Sequence, residues 1–582
     1  MKCSRVFLAI GAALLGPWFV ASAANDLPPQ AATSPTAVPS AATPRPFRSP
    51  KTVLPGRRPP LPDPPQVLIG ERLFLETRFA QYFFANAGAN ANTPLPVGDP
   101  VVARTETLGA ALPGRFAGMS MNCRVCHLVA EHAPDGKGNR TYADFARRTP
   151  VPARPDGKKL TTRHSPAMVN ASIPRESAFF LHSDGEFTSG PDLVKATFTG
   201  RNFGWLPREQ RLAVQHIARI IREDDGQGQL ARELGGSYRS VLAGTDPGIP
   251  EPFRLPVRFR LDVNRASDDR ILDLVAHLVD AYMNSLFFSR DEVGEYDGSP
   301  YDLFLEKNRL PRMPEPGQSA LYYSRHLVGL IEDLPSPRFI TPKDGRFMRL
   351  KQEFRFGAEE LAGLKLFFKL GSERPRPGRE PGPAGNCIAC HEAPHFTDFN
   401  FHNTGVAQEE YDALHGPGAF GRLLVPGLEE RNTHFETYLP ATGRHPEARG
   451  LFLAIPESGQ PECADLGLWN VFGNPDLPSC QPALRQLLAR DAQGESDAAL
   501  LPRTLGLFKT PSVRGLGLSE PYLHTGRKDS LEEVIQFYLT CARLAREGLL
   551  RNGAPELKQI RLSPEEVAPL VAFLKSLNED YE

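Results

Sequence analysis

Two short stretches decide the fold of this chain: NCRVCH at residues 122–127 and NCIACH at residues 386–391. Each holds two cysteines separated by two residues and followed directly by a histidine. This spacing is typical of covalent haem attachment, because two thiols on one turn can form thioethers to neighbouring vinyl groups while the next histidine ligates iron. With eight cysteines and 14 histidines in 582 residues, about 0.003 such pentapeptides are expected by chance. Two of them predict a chain that carries two haem c groups.

The residues of these motifs are the predicted cofactor site. His127 and His391 are the expected proximal iron ligands. A zinc site or a thioredoxin-like pair would need further ligands or a βαβ context, and neither is visible around the motifs. The cysteines expected to bind haem are Cys123, Cys126, Cys387 and Cys390.

The composition sets the class of protein around these motifs. A chain of 582 residues is too long for one core, and its size suggests about two to four domains. The 57 prolines indicate long loops and a stiff linker, and the net charge of -1 gives no sign of a nucleic-acid partner. We therefore expect an ordinary globular protein with extended connections.

The N-terminus predicts export. Lys2 and Arg5 precede an apolar run at residues 6–20, and small residues at 21–23 fit a cleavage site. We expect a signal peptide at 1–23, a Pro-rich disordered linker at 24–65 and a periplasmic protein with no membrane span in the mature chain. A retained membrane anchor is the alternative reading of the apolar run.

The remaining sequence predicts a mostly α fold: two cytochrome-c-like helical domains with long loops and one covalent haem each. Apolar residues repeat at helical spacing over 211–222, 269–286 and 358–368, whereas strand-like alternation is scarce. Ser530 and Ser563 begin two further helices with capping signals. Proline-rich breaks place the domains at 66–335 and 336–582.

Three cysteines of the expected mature chain lie outside the motifs. Cys463 and Cys480 occur in one Pro-rich stretch, and in an oxidising compartment they predict a disulfide that closes a loop. Cys541 is then left over and is expected to be a buried free thiol.

Longer stretches around the motifs resemble a known family. HEAPHFTDFNFHNTGV (391–406) and FKTPSVRGLGLSEPYLHTGRKDSLEEVIQFY (508–538) closely resemble the C-terminal domain of the bacterial di-haem cytochrome c peroxidase and MauG family. GERLFLETRF (70–79) and RHSPAMVN (163–170) are similar to its N-terminal motifs, and SPYDLFLEKNRLP (299–311) resembles the connection between its domains. The resemblance implies that the N-terminal haem reacts with peroxide and that the C-terminal haem relays electrons.

The resemblance also implies a second ligand for the C-terminal haem. In the family this ligand, methionine or tyrosine, lies 14 residues past the histidine of the PYxHxG motif, which here is His524 and places Tyr538 at the ligand position. The last methionine of the chain is Met348, so no methionine is available beside or after the second motif. Tyr538 also shares a helix face with Leu531 and Ile535, so a core tyrosine is the alternative.

The N-terminal half departs from the family pattern at two positions. Ser183 stands before the Asp184–Gly185 pair, where the family usually has an inter-haem tryptophan, and the nearest ring groups are Phe180 and His182. Ala196 falls near the place of the glutamine beside the peroxide pocket.

Several side chains are candidates for a group that faces the oxidant. Glu186 could move protons during O–O cleavage, with His182 beside it, although each candidate alone has a surface or structural role as its alternative. The four candidates are His132, His164, His182 and Glu186.

A calcium ion lies between the domains in the family. The corresponding backbone here would include Ser519 and Pro521. His164 stands where an asparagine oxygen is usual, and neutral imidazole is a poor calcium ligand, which argues against calcium in this chain.

Taken together, the sequence predicts a periplasmic di-haem c oxidoreductase that reduces hydrogen peroxide or uses it to oxidise a partner. The expected partner is a small redox protein or an organic electron donor, and nucleic acid is excluded. Two alternatives stay open: a dioxygen-dependent di-haem oxygenase like those that cleave rubber, and a non-catalytic electron-transfer cytochrome.

Overall fold

The computed structural model describes residues 62–105, 119–127, 148–173, 175, 179–348, 350–371, 382–489 and 494–580. These residues belong to one compact unit, Phe47–Glu582. The predicted signal peptide, most of the predicted linker and His132 lie outside the described residues.

Helices dominate the described chain, as the sequence predicts. The helices before the second motif are α1 Pro65–Phe74, α2 Gln81–Asn86, α3 Pro100–Thr105, α4 Cys123–Cys126, α5 Gly190–Phe198, α6 Gln210–Glu223, α7 Gln229–Glu233, α8 Tyr238–Ala243, α9 Asp268–Met283, α10 Pro300–Lys307, α11 Ala320–Glu332 and α12 Ala358–Phe368. Those after it are α13 Val406–His415, α14 Ala419–Arg422, α15 Leu428–Thr433, α16 Phe435–Tyr438, α17 Gln481–Leu488, α18 Asp497–Leu500, α19 Leu531–Arg546 and α20 Val567–Ser576.

The predicted helix starts are confirmed at both capping serines. The Ser530 hydroxyl accepts a hydrogen bond from the Glu533 backbone N–H at 3.1 Å and begins α19. Ser563 and Glu566 form a reciprocal capping box on the turn that leads into α20. Pro569 is the third residue of α20, within the first turn, where the missing N–H of proline costs nothing.

In the N-terminal half, α1, α5 and α6 all pack on α9. The approach of α1 to α9 is so close that a Cβ on Gly70 would lie 2.0 Å from the Leu278 carbonyl oxygen. In the C-terminal half, α12 crosses α20 in the same way, and a Cβ on Gly363 would lie 1.9 Å from the Pro569 oxygen. Each half is therefore built on one tight helix pair with a glycine at the crossing.

The described residues contain one small sheet. Strand β1 Phe401–His402 pairs antiparallel with β2 Phe508–Lys509. Two-residue strands of this kind agree with the scarcity of alternating sequence.

The apolar core falls into separate clusters along the chain. One cluster gathers buried residues between Val67 and Tyr296, and a second begins at Tyr301 and ends at Leu577. The proline-rich breaks lie in the loops on either side of α11. The proposed domain limits at 335 and 336 stay a prediction.

None of the helices in the described part of the chain is long and apolar enough to cross a membrane.

The predicted disulfide is wrong, because Cys463 and Cys480 both carry free thiols. The Cys463 thiol donates to Gln460 Oε1 and the Cys480 thiol to the Leu477 carbonyl, each at 3.4 Å. Each thiol therefore bonds a residue three positions earlier in the chain and not the other cysteine. Cys541 is a buried free thiol, as expected.

Candidate functional site

The first cysteine motif forms a single capped turn. The Asn122 side-chain oxygen accepts from the Val125 N–H at 3.1 Å, and its amide donates to the Leu75 carbonyl just after α1, also at 3.1 Å. The His127 N–H donates to the Cys123 carbonyl at 2.8 Å. This turn places Cys123 and Cys126 on one side, followed at once by the histidine, as thioether attachment to one porphyrin requires.

The ring of His127 is oriented by the backbone. Its Nδ1 lies 3.1 Å from the Pro166 carbonyl oxygen, so Nδ1 carries the proton and Nε2 is the nitrogen left to bind a metal. Burial lowers the pKa of His127 to about 4, and the neutral ring is the form that ligates iron.

The second motif forms a 3₁₀ turn at Cys387–Ala389. Asn386, with a φ of 55°, precedes it and accepts from the Gly371 N–H at 3.0 Å while donating to the Glu556 carbonyl at 2.9 Å. The Nδ1 of His391 lies 3.1 Å from the Phe396 carbonyl oxygen, which again leaves Nε2 for a metal. In both motifs the histidine Nδ1 thus faces a backbone carbonyl, although the first motif forms an α-helical turn and the second a 3₁₀ turn.

The donor set fits haem c at both motifs. The four motif cysteines are free thiols on single turns. Burial raises the pKa of each of them and lowers the pKa of both histidines. A zinc site needs further cysteine or histidine ligands, whereas two thiols and one neutral histidine on a single turn are the set that haem c requires.

Tyr538 lies on α19 near the second motif. Burial raises the pKa of its phenol above the ordinary value, and the neighbouring Cys390 and Cys387 thiols add to the rise. The structure therefore brings Tyr538 together with the cysteines of the haem that it is predicted to ligate. Its role as an iron ligand stays a prediction.

His182 and Glu186 are brought together by a short loop. His182 Nδ1 lies 3.3 Å from Glu186 Oε2, and both side chains are about one-third exposed, at 36% and 33%. Asp184 completes a cluster in which the ligand atoms all lie within 4.8 Å. His182 is near enough to His127 for its charge to lower the pKa of that ring. The two candidates thus lie close to the first motif.

His164 is buried against the segment that contains His524. The His164 N–H donates to the His524 carbonyl at 2.6 Å, and burial lowers the pKa of His164 to about 4. Its imidazole is neutral at physiological pH. A neutral imidazole offers calcium a poor ligand at this position.

A phenylalanine pair lies close to Ser183, the residue at the position of the family's inter-haem tryptophan. Phe180 and Phe401 meet edge to face with ring centroids 5.4 Å apart. Gly185, with a φ of 73°, packs so closely that a Cβ would lie 2.5 Å from Phe401 Cζ. The Asp184–Gly185 pair is thus held against strand β1, with Ser183 accepting from the Lys509 N–H at 2.7 Å.

Buried ion pairs around this region have no signal in the sequence. Arg163 binds Asp465 at 2.6 and 2.8 Å and also pairs with Asp184. Arg148 makes a bidentate pair with Glu410 at 2.8 and 2.9 Å. Arg163 begins the quoted RHSPAMVN motif, yet no sequence signal names a partner about 300 residues away.

His402 was also missed. Its Nε2 lies 2.7 Å from Asp398 Oδ2, and its ring lies close to Cys390 and Glu556. Burial disfavours the charged ring, but hydrogen bonds with Asp398 and Cys390 raise the pKa of His402 to about 11.

Known proteins share this sequence pattern. The chain is 27% identical over 194 residues to cytochrome-c peroxidase IdrP2 of Denitromonas iodatirespirans, covering 33% of this chain and 36% of that protein. It is 35% identical over 91 residues to the methylamine utilization protein MauG of Methylophilus methylotrophus, covering 16% of this chain and 25% of MauG. These matches confirm the predicted resemblance to the di-haem cytochrome c peroxidase and MauG family. It spans about a third or less of the length of these curated relatives.

Two solved structures align along most of the chain at low identity. The diheme peroxidase BthA from Burkholderia thailandensis E264 covers 89% of this chain at 15% identity, with 87% of its own length aligned and a TM-score of 0.42. A MauG-like protein associated with microbial copper homeostasis covers 90%, with 94% of its own length aligned, at 17% identity and a TM-score of 0.41. No family model matches the chain.

Proposed function

We propose that this chain is a periplasmic di-haem c oxidoreductase of the peroxidase type, which uses hydrogen peroxide as its oxidant. One observation carries the proposal: both Cys-x-x-Cys-His turns hold the histidine Nδ1 on a backbone carbonyl and leave Nε2 for iron. The curated relatives named cytochrome-c peroxidase support the reaction class. A small redox protein or an organic donor would supply the electrons.

The proposed roles divide between the two halves of the chain. Bound haem would supply the redox chemistry that the amino acids lack. Cys123 and Cys126 would fix the first group and His127 would hold its iron from one side. Cys387, Cys390 and His391 would do the same for the second.

We propose His182 and Glu186 as the pair that handles protons near the first haem. A carboxylate 3.3 Å from an imidazole can hold a proton at His182 Nδ1 and release it, as peroxide reduction requires. The partial exposure of both side chains provides a route to solvent protons.

Tyr538 is the proposed second ligand of the C-terminal haem. Its place beside Cys387 and Cys390 supports this role. A phenolate is an anionic oxygen donor, so it would favour ferric over ferrous iron and lower the reduction potential of that haem relative to a methionine ligand.

The overall proposal is tested on the purified full chain. A pyridine haemochrome assay after acid-acetone washing should find two covalent haems per polypeptide, and peroxide should be consumed with a reduced donor. Glu186→Gln and His182→Asn should each lower the turnover about 10²-fold, in the range of general acid–base catalysis. His434→Gln is the matched control, because the His434 Nδ1 lies 3.0 Å from the Glu430 carbonyl one turn earlier and the ring faces Tyr438, remote in sequence from His182 and Glu186. Absent haem, or peroxide turnover unaffected by Glu186→Gln and His182→Asn together, contradicts the proposal.

The ligand role of Tyr538 is tested by spectroscopy. Tyr538→Phe should change the ferric spin state of one haem and keep both haems attached. Tyr522→Phe is the control, since the Tyr522 hydroxyl donates to the Leu516 carbonyl at 3.1 Å. A paramagnetic resonance spectrum of Tyr538→Phe identical to that of the wild type would make Tyr538 a core residue.

A further inference from the structure

Two cations converge on one backbone oxygen beside the Phe180–Phe401 pair. Arg175 Nη1 donates to the Phe180 carbonyl at 2.9 Å, and Lys509 Nζ donates to the same oxygen at 3.2 Å. The second Nη of Arg175 donates to the Ala171 carbonyl at 2.8 Å. Two positive charges are thus held close together by neutral acceptors.

Neither cation has a carboxylate partner in the part of the chain that the structure describes. No ion pair of Arg175 or Lys509 occurs among those residues, and Arg175 Nε is buried without a hydrogen bond there. Asp184 acts on Lys509 at longer range, but that carboxylate is already bound to Arg163. Among the residues that the structure describes, the pair therefore has no carboxylate of its own.

This arrangement is costly without a further negative group. Burial lowers the pKa of Lys509 to about 7 and that of Arg175 to about 10, and the charge of Arg175 lowers that of Lys509 further. Buried charges are normally paired, because an uncompensated one loses its solvation. Both side chains keep some accessible surface, so an anion can reach them.

The surroundings indicate what this anion is. Arg175 lies over the ring of Phe399, 4.3 Å from its centre, and Phe399 is eight residues past His391 in the loop that follows the second motif. Haem is itself a dicarboxylate, and a guanidinium and an ammonium at one place suit a carboxylate. We propose that Arg175 and Lys509 together bind a haem propionate. This inference rests on the proposed function, since it requires bound haem.

The test measures reduction potentials of the haem-loaded protein. Lys509→Met and Arg175→Gln each remove a positive charge beside a carboxylate, which favours ferric iron. At a fixed applied potential the ferric-to-ferrous ratio of one haem should rise about tenfold, equivalent to 59 mV for one electron. Lys509→Arg keeps the charge and should restore most of the wild-type ratio. Lys307→Met is the matched control, because that lysine already pairs with Asp344 at 2.8 Å and donates to the Phe339 carbonyl.

Each outcome decides a separate question. A wild-type protein without covalent haem would end the proposed function before this inference is reached. If two haems are bound but the ferric-to-ferrous ratio is unchanged in both Lys509→Met and Arg175→Gln, the propionate site is overturned and the proposed function stands. A shift that appears only in phosphate buffer assigns the cations to a free anion and also overturns it. If Lys509→Met does not accumulate as loaded protein, Arg175→Gln carries the same expectation independently.

Discussion

The buried carboxyl of Glu579 makes the stability of this protein depend on pH. Glu579 is 2% exposed, its Oε1 accepts from the Ser289 N–H at 2.6 Å, and Gly298 packs against the carboxyl group. Burial, with the nearby charges of Asp302 and Asp297, raises the pKa of Glu579 from its usual 4.5 to about 8, although the Ser289 N–H and Arg514 oppose the rise. The folded protein therefore holds a proton here at neutral pH.

The sign follows from proton linkage. Between pH 4.5 and about 8 the folded chain keeps a proton that the unfolded chain has released, so its stability falls as pH rises. The slope for one proton is about 1.4 kcal/mol per pH unit, which gives about 3 kcal/mol between pH 5 and pH 7. The stability that protonated Glu579 contributes is fully present below the pKa of the group in the unfolded chain. It is lost as the pH rises through the pKa of the group in the folded chain. Glu579→Gln stays neutral and should remove this slope.

Urea unfolding of the loaded protein at pH 5, 6 and 7 provides the measurement. The difference in unfolding free energy between the wild type and Glu579→Gln should change by about 3 kcal/mol across this range. Glu447→Gln is the control, since Glu447 is mostly exposed and its ion pair with Arg208 is loose at 3.6 Å. Parallel curves for wild type and Glu579→Gln would refute the assignment of a raised pKa to Glu579.

Three further outcomes are expected. Asp302→Ala leaves Arg514 buried without the carboxylate that it binds at 2.8 and 3.0 Å. Thermal unfolding should show that the free energy of unfolding falls by about 3–5 kcal/mol. Gly185→Ala places a side chain at a left-handed backbone position and against the Phe401 ring. Denaturant unfolding should show that the free energy of unfolding falls by about 1 kcal/mol or more. Alkylation of the denatured protein without reductant should label Cys463 and Cys480, and mass spectrometry that finds them joined would contradict the free thiols.

The sequence predicted the features that local chemistry determines. The helix over 211–222 is confirmed as α6, one residue longer at each end, because its apolar spacing and its packing surface coincide. The start of α19 at Ser530 is confirmed for the same kind of reason, since a cap involves residues only three positions apart. The two motifs are equally local, which is why both turns could be expected.

Contacts across long stretches of chain could not be predicted. Arg163 and Asp465 are 302 positions apart, and only the folded chain shows that they meet. The error at Cys463 and Cys480 has the same origin, because the predicted oxidising compartment and the shared Pro-rich stretch suggested a bridge while the thiols point to other neighbours. Pairing depends on direction in space, and spacing along the chain does not encode it.

The crossing glycines link helix packing to the placement of the cofactor motifs. Asn122 is anchored on the Leu75 carbonyl at the end of α1, and the Gly385 N–H donates to the Leu366 carbonyl near the end of α12. These are the two helices that carry Gly70 and Gly363 at their crossings. Each of these helices therefore crosses its partner at a glycine and holds a Cys-x-x-Cys-His turn near its C-terminal end. An added methyl group at Gly70 or Gly363 would change the angle at which the two helices cross. Positions without any redox chemistry would in this way set where each haem is held.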